Sequence, residues 1–256
     1  MRDVRSDGVI YEKAFARPLA AIAGTTLLLG MMHPLRGQET LREQETFLSG
    51  GKEIRVENFT PKGRSAENLP SIVVLHGAPG VAFANQFIAG LAQQFAEEGF
   101  VVHLVHYFDR TGTRYADDAA ITRSSALWLG TVKDTVAWVH KERPKAKIGI
   151  FGYSLGGYLA AAEGVSDPQV SAAVILSGGL DDGSKKGLNY APPMLILHGG
   201  QDTRVPVSEA HRLERALQKA GGQPEFHLYP DEEHIMSMMT YADVVQRGTV
   251  FFQQHL

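Results

Sequence analysis

Ile148-Gly-Ile-Phe-Gly-Tyr-Ser-Leu-Gly-Gly157 reads as a short buried strand running straight into a G-x-S-x-G turn. Tyr158-Leu-Ala-Ala-Ala162 continues as a helix, which completes the strand, sharp turn and helix that lift one serine above the end of a sheet. Ser154 is therefore the candidate nucleophile. Gly152, Gly156 and Gly157 have a mechanical purpose, because a residue without a Cβ tolerates tight backbone and close helix packing. A glycine-rich turn in another α/β protein would satisfy these five residues equally well, so the rest of the chain must decide.

A serine hydroxyl is a poor nucleophile near neutral pH and needs an adjacent base, which in turn needs an orienting group. Met194-Leu-Ile-Leu-His198 is an apolar strand that ends in Gly199-Gly-Gln-Asp202, with Val205-Pro206 and a helix beyond it. Glu225-Phe-His-Leu-Tyr229 is another strand, and Pro230-Asp-Glu-Glu-His234 is the loop after it. Loops leaving the same end of parallel strands converge, so Asp202 and His234 can meet Ser154 despite their separation in sequence. Taken singly, Asp202 reads equally well as the cap of the Val207–Ala220 helix, and His234 as a solvated loop residue. Their occurrence in the order Ser, Asp, His, each at a strand end, favours a catalytic triad. Asp181 and Asp182 are rival acids in a less favourable loop position.

Negative charge on a reacting carbonyl also needs donors. Ser71-Ile-Val-Val-Leu75 is a strand followed by His76-Gly-Ala-Pro-Gly80, whose small residues let backbone N–H groups approach a substrate oxygen. The N–H groups of Ala78 and Leu155 are the candidate oxyanion hole, and Pro79 has no N–H to offer. His76 precedes the nucleophile and reads as loop support.

Together, His76-Gly-Ala-Pro-Gly80, Gly152-Tyr-Ser-Leu-Gly-Gly157, His198-Gly-Gly-Gln-Asp202 with Val205-Pro206, and Glu233-His234 resemble an α/β-hydrolase of the dienelactone hydrolase family. The resemblance runs from about Leu41 to the C-terminus. It implies an α/β fold with a mostly parallel eight-stranded sheet, helices on both faces and no large lid. It also implies cleavage of a carboxylic ester or lactone, with Ser154 as nucleophile, Asp202 as orienting acid and His234 as base. Dienelactone hydrolase itself carries a Cys in the elbow, whereas this chain has none, and an Arg that would hold a substrate carboxylate is replaced by Met238. Arg110, in Tyr107-Phe-Asp-Arg110, is the candidate substitute. The prolyl-oligopeptidase family has a similar catalytic domain, so a small serine peptidase is one alternative, and a non-catalytic binding scaffold is another.

Composition agrees. A chain of 256 residues with 44% hydrophobic content supports one ordinary core without staples. A net charge of −3 supplies no basic field for nucleic acid. The absence of cysteine excludes disulfides, Cys-type zinc sites and a thiol nucleophile. The ten histidines form no metal signature, and His103 and His106, three apart on a strand, should face opposite ways. No cofactor or metal is expected, and the expected partner is a small ester or lactone.

Strands are expected near Glu43–Leu48, Glu53–Phe59, Ile72–His76, Val101–Tyr107, Lys147–Phe151, Ala172–Leu176, Met194–His198 and Glu225–Tyr229, the first two as an antiparallel edge. Helical periodicity marks Gln86–Glu98, Thr122–Glu142, Val207–Ala220 and Met236–Gln254. Tyr153, Tyr107, Phe108 and Met236 are expected to wall the site, with Arg110 and Arg204 on loops at its rim; Trp128, Trp138 and the group Met236, Met238 and Met239 read mainly as core. The interval Ser177–Pro193 is too short and Gly-rich for a lid, which predicts an open cleft and short acyl groups. The Asn58-Phe-Thr60 sequon falls within a strand.

Residues 1–40 differ from the rest. Leu19–Met32 is a 14-residue apolar run, within the ~7 to 15 residues of a signal-peptide core and short of the ~20 that span a bilayer. The expectation is a targeting segment, signal peptide or anchor, with a linker, followed by a catalytic domain over residues 41–256 that is periplasmic or secreted and not membrane-bound. A start at Met31 or Met32 would instead leave a cytoplasmic protein.

Overall fold

The computed structural model describes residues 39–181, 183, 188 and 191–256. Residues 1–38 of the expected targeting segment thus lie outside the described residues, as does Asp182. Among the described residues, no helix is long and apolar enough to cross a membrane.

Eight strands form one sheet: β1 (Thr40–Ser49), β2 (Lys52–Pro61), β3 (Ser71–Leu75), β4 (Val101–Val105), β5 (Ile148–Tyr153), β6 (Val170–Leu176), β7 (Met194–Gly199) and β8 (Glu225–Tyr229). Their order across the sheet is β1-β2-β4-β3-β5-β6-β7-β8. The β1–β2 hairpin runs antiparallel to its neighbours and the other strands are parallel. Among the described residues, five helices cover the sheet: α1 (Gly80–Glu97), α2 (Asp118–Glu142), α3 (Leu155–Ser166), α4 (Val207–Lys219) and α5 (Met238–His255).

The central strands are apolar throughout because both faces are covered, and their two-residue period divides the interior into two cores. Val73 and Leu75 of β3, with Met194 and Ile196 of β7, face α2, α3 and α4. Ile72 and Val74, with Leu195 and Leu197, face α1 and α5. In the second core Phe95 meets Phe100, Phe151 and Phe252 edge to face, at ring separations of 6.5, 5.8 and 5.7 Å. Each such fully buried side chain stabilises the fold by about 1.5–3 kcal/mol relative to leaving it exposed.

All eight expected strands form, and the helix ends show where apolar periodicity stops being informative. The helix expected from Thr122 starts at Asp118, because the Asp117 carboxylate accepts from Ala120 N–H at 2.7 Å and caps it. The helix expected from Met236 starts at Met238, after Ser237 as cap. Its first turn therefore projects outward: Met238 and Met239 are 80% and 86% exposed, contrary to the core role expected of them, while Met236 is half-buried against the α1–α5 core. On the opposite face of the sheet Trp128 is fully buried in the first core and Trp138 packs against it, as expected.

Candidate active site

The turn between β5 and α3 puts Ser154 at φ 57°, ψ −118°, a conformation that non-glycine residues rarely adopt. Strain of this kind costs on the order of 1–3 kcal/mol and persists only where neighbours enforce it. Here Ser154 N–H donates to Leu176 O at 2.9 Å, and Tyr158 N–H donates back to Ser154 O at 3.1 Å. The flanking glycines are dictated by space: a Cβ on Gly152 would lie 2.1 Å from Gly156 O, and one on Gly156 would lie 2.5 Å from both His76 O and Leu75 O.

Two further loops arrive at this turn from the same end of the sheet. The loops after β7 and β8 are stitched together by Gly200 N–H to Tyr229 O (2.7 Å) and Gln201 N–H to Glu232 O (2.9 Å). That stitching brings His234 between Ser154 and Asp202, with Nε2 2.9 Å from Ser154 Oγ and Nδ1 2.7 Å from Asp202 Oδ2. The other carboxylate oxygen accepts from Arg204 N–H (2.9 Å) and Val205 N–H (2.8 Å). His198 Nε2, which donates to Val205 O at 2.8 Å, stands 3.5 Å from Asp202 Oδ2.

Burial alone would raise the Asp202 carboxyl, but the His234 hydrogen bond and charge and the Val205 N–H outweigh it and hold the acid below the ordinary carboxylate range. Asp202 is thus an acceptor only, so Nδ1 of His234 must donate to it, and in the neutral tautomer this fixes, Nε2 offers its lone pair to the Ser154 hydroxyl. Tyr153 steadies the far side of the same histidine, donating its hydroxyl to His234 O at 3.0 Å while its ring lies 5.4 Å from the imidazole.

Ser154, Ala78 and Leu155 all border one cleft of about 660 Å³. Leu155 opens α3, where backbone N–H groups have no partner within the helix and the dipole favours negative charge. Ala78 is held by its own carbonyl, which accepts from Ala116 N–H at 2.9 Å. Asp181, the rival acid, also borders the cleft and turns its carboxylate to Gly183 N–H at 2.8 Å.

The expected substrate wall is largely displaced. Tyr107 is fully buried, donates to His76 O at 2.7 Å and stacks on the His76 ring at 4.1 Å. Phe108 is buried against His76 and Trp128. These side chains brace the Ala78 loop from beneath. His76 itself is supporting, as expected: burial pushes its imidazole down to about 3, and the neutral ring contacts Gly77 O through Nδ1 at 2.8 Å.

Arg110 donates to Ser49 O at 2.7 Å and to Gly50 O, so it secures the β1–β2 turn and not a substrate. The cause lies in Asp109, which pairs with Arg55 on β2 at 2.8 Å and draws the whole 3-10 turn Tyr107–Arg110 toward the hairpin. Tyr153 and Met236 pack against the α1–α5 core and are not among the side chains bordering the cleft. Arg204 does border it, paired with Asp118.

The wall that forms instead comes from Ile121, Ala126 and Leu129 of α2 with Tyr158, Leu159 and Ala162 of α3. Local sequence does not reveal it, because a groove between two helices depends on how they cross. The one local signal was a run of small and apolar residues on one side of α2.

His103 and His106 do point apart, the first to Asn58 Oδ1 at 2.7 Å and the second to Glu57 Oε1 at 2.8 Å. Among the described residues no group of three or more His, Cys, Asp or Glu side chains is placed to hold a metal ion.

Comparison with known proteins bears on this arrangement. A Yersinia pestis protein provisionally named a carboxymethylenebutenolidase is 31% identical over 223 residues, 79% of this chain and 81% of its own length. The crystal structure of a Klebsiella pneumoniae protein provisionally named a dienelactone hydrolase superposes with TM-score 0.72 at 22% identity, over 85% of this chain and all of its own. Pyrococcus horikoshii acylaminoacyl peptidase superposes with TM-score 0.66 at 17% identity, over 85% of this chain and 42% of its own. At those identities the two structural likenesses speak for the fold alone. The family model described as "Dienelactone hydrolase family" matches residues 54–241, and the chain belongs to that family.

Proposed function

We propose that this protein is a serine hydrolase that cleaves small carboxylic esters or lactones through an acyl-enzyme. The single observation that carries the reading is His234 bridging Ser154 Oγ and Asp202 Oδ2 at 2.9 and 2.7 Å, beneath a strained elbow that faces a cleft. Ser154 Oγ attacks the ester carbon while His234 Nε2 takes its proton. The carbonyl oxygen, now anionic, is met by the N–H groups of Ala78 and Leu155; losing one such donor typically costs about 3–4 kcal/mol of barrier. Collapse expels the alcohol, which leaves with the proton from His234. Water then attacks the acyl-enzyme with the same base, releasing the acid and restoring Ser154.

A fluorophosphonate probe should label Ser154, located by peptide mass spectrometry. Ser154→Ala should abolish that labelling and lower kcat on 4-nitrophenyl acetate by about 10⁴-fold or more with unchanged circular dichroism. Burst-forming hydrolysis that survives in Ser154→Ala would remove the serine from the mechanism.

A further inference from the structure

The cleft beside Ser154 is directional, and its direction bears on the substrate. Ser154, Ala78 and Leu155 are among the described residues on its border, and His234 is not. In the mechanism above His234 hands its proton to the departing alcohol, so the alcohol lies on the His234 side. The groove on the other side is left to the acyl group. It runs along α3 from Leu155 to Ala162, seven residues at about 1.5 Å each, or roughly 10 Å. At about 1.2 Å of reach per bond of an extended chain, that length holds about eight bonds. A volume near 660 Å³ lies within the range of small-ligand sites, about 300–1,000 Å³.

Its charge is as informative as its length. Among the described residues bordering the groove, Arg204 is the one cation, and it is paired with Asp118. Arg110, the other candidate for holding a carboxylate, is committed to Ser49 O and Gly50 O.

We propose that the groove between α2 and α3 receives the acyl chain of a neutral aliphatic ester about six to eight carbons long, and that it disfavours acyl groups ending in a carboxylate. The proposal rests on the esterase reading and reverses the expectation of short acyl groups. Ala126, Leu129 and Ala162 set the length the groove accepts.

The test uses the full chain with 4-nitrophenyl esters from acetate to palmitate, plus the hemisuccinate as an anionic acyl group. Each methylene that meets the wall should raise kcat/KM about two- to fourfold, so hexanoate or octanoate should exceed acetate at least tenfold. The hemisuccinate should fall at least tenfold below the neutral pentanoate. Ala126→Trp places bulk on an exposed stretch of the groove wall and should lower the octanoate-to-acetate ratio at least tenfold. Leu127→Trp, one residue along and outside the groove, should leave that ratio as it is.

Ser154-dependent hydrolysis that is fastest on acetate, or that favours the hemisuccinate, or whose octanoate-to-acetate ratio ignores Ala126→Trp, would overturn the groove assignment and leave the esterase reading standing. No Ser154-dependent turnover of any ester, acetate included, and no fluorophosphonate labelling would overturn both.

Discussion

The loops after β4 and after β7 leave the same end of parallel strands, and each carries an aspartate, yet they do opposite things. Asp202, after β7, has a wholly buried side chain whose oxygens face His234 and two backbone N–H groups. Asp109, after β4, faces the Arg55 guanidinium, with Nη2 at 2.8 Å and Nε at 2.9 Å. Burial would raise both acids, and in both the partners outweigh it and hold the carboxyl low. The electrostatics are therefore alike, and the partner differs. An imidazole passes a proton on, whereas a guanidinium only anchors. Position at a strand end permits a site, and the identity of the group across the gap decides whether one forms.

Substituting the two acids sharpens this contrast most. Asp202→Asn should leave the fold intact but favour the wrong His234 tautomer, lowering kcat by about 10⁴-fold. Asp109→Asn should act on stability and not on kcat. Comparable losses of kcat in the two variants, measured on one ester, would erase the distinction.

A third acid tests what happens when burial outweighs the neighbours. Glu163 of α3 is buried, its Oε1 meets no donor, and burial together with nearby Asp167 pushes its carboxyl up to about 8. Its folded value lies above the ordinary 4.5, so the folded state holds the proton that the unfolded chain releases. Stability from this group is greatest at low pH and falls as pH rises from about 4.5 to 8. Glu163→Gln should therefore match the parent near pH 4.5 and exceed it above pH 8 by on the order of 5 kcal/mol. Denaturant melts at the two pH values read this directly, and a difference independent of pH would refute it.

Smaller effects belong to the β4 loop. Tyr107→Phe removes the donor to His76 O and leaves a buried carbonyl unpaired, which should cost about 1–2 kcal/mol of stability. Arg110→Ala should cost less, about 1 kcal/mol or under, through a loosened β1–β2 turn. It should also leave the KM ratio between anionic and neutral esters unchanged. A selective rise in KM for the anionic ester would return Arg110 to the substrate.

What the sequence determined by itself was whatever depends on near neighbours along the chain. Short apolar runs bounded by turn residues placed the central strands, and the spacing Gly152-x-Ser154-x-Gly156 specified a turn whose backbone admits no Cβ at either glycine. Asp202 and His234 were legible because each follows a strand of the same parallel sheet, which delivers both to one edge. Tertiary structure alone decided the direction of Tyr107, Phe108 and Arg110, since the Arg55–Asp109 pair that turns their loop joins residues 54 positions apart. It also decided the groove beside Ser154, whose walls are single faces of α2 and α3. Local pattern shows that such a face is apolar, and only the packing of one helix beside the other shows that it borders a cleft next to Ser154.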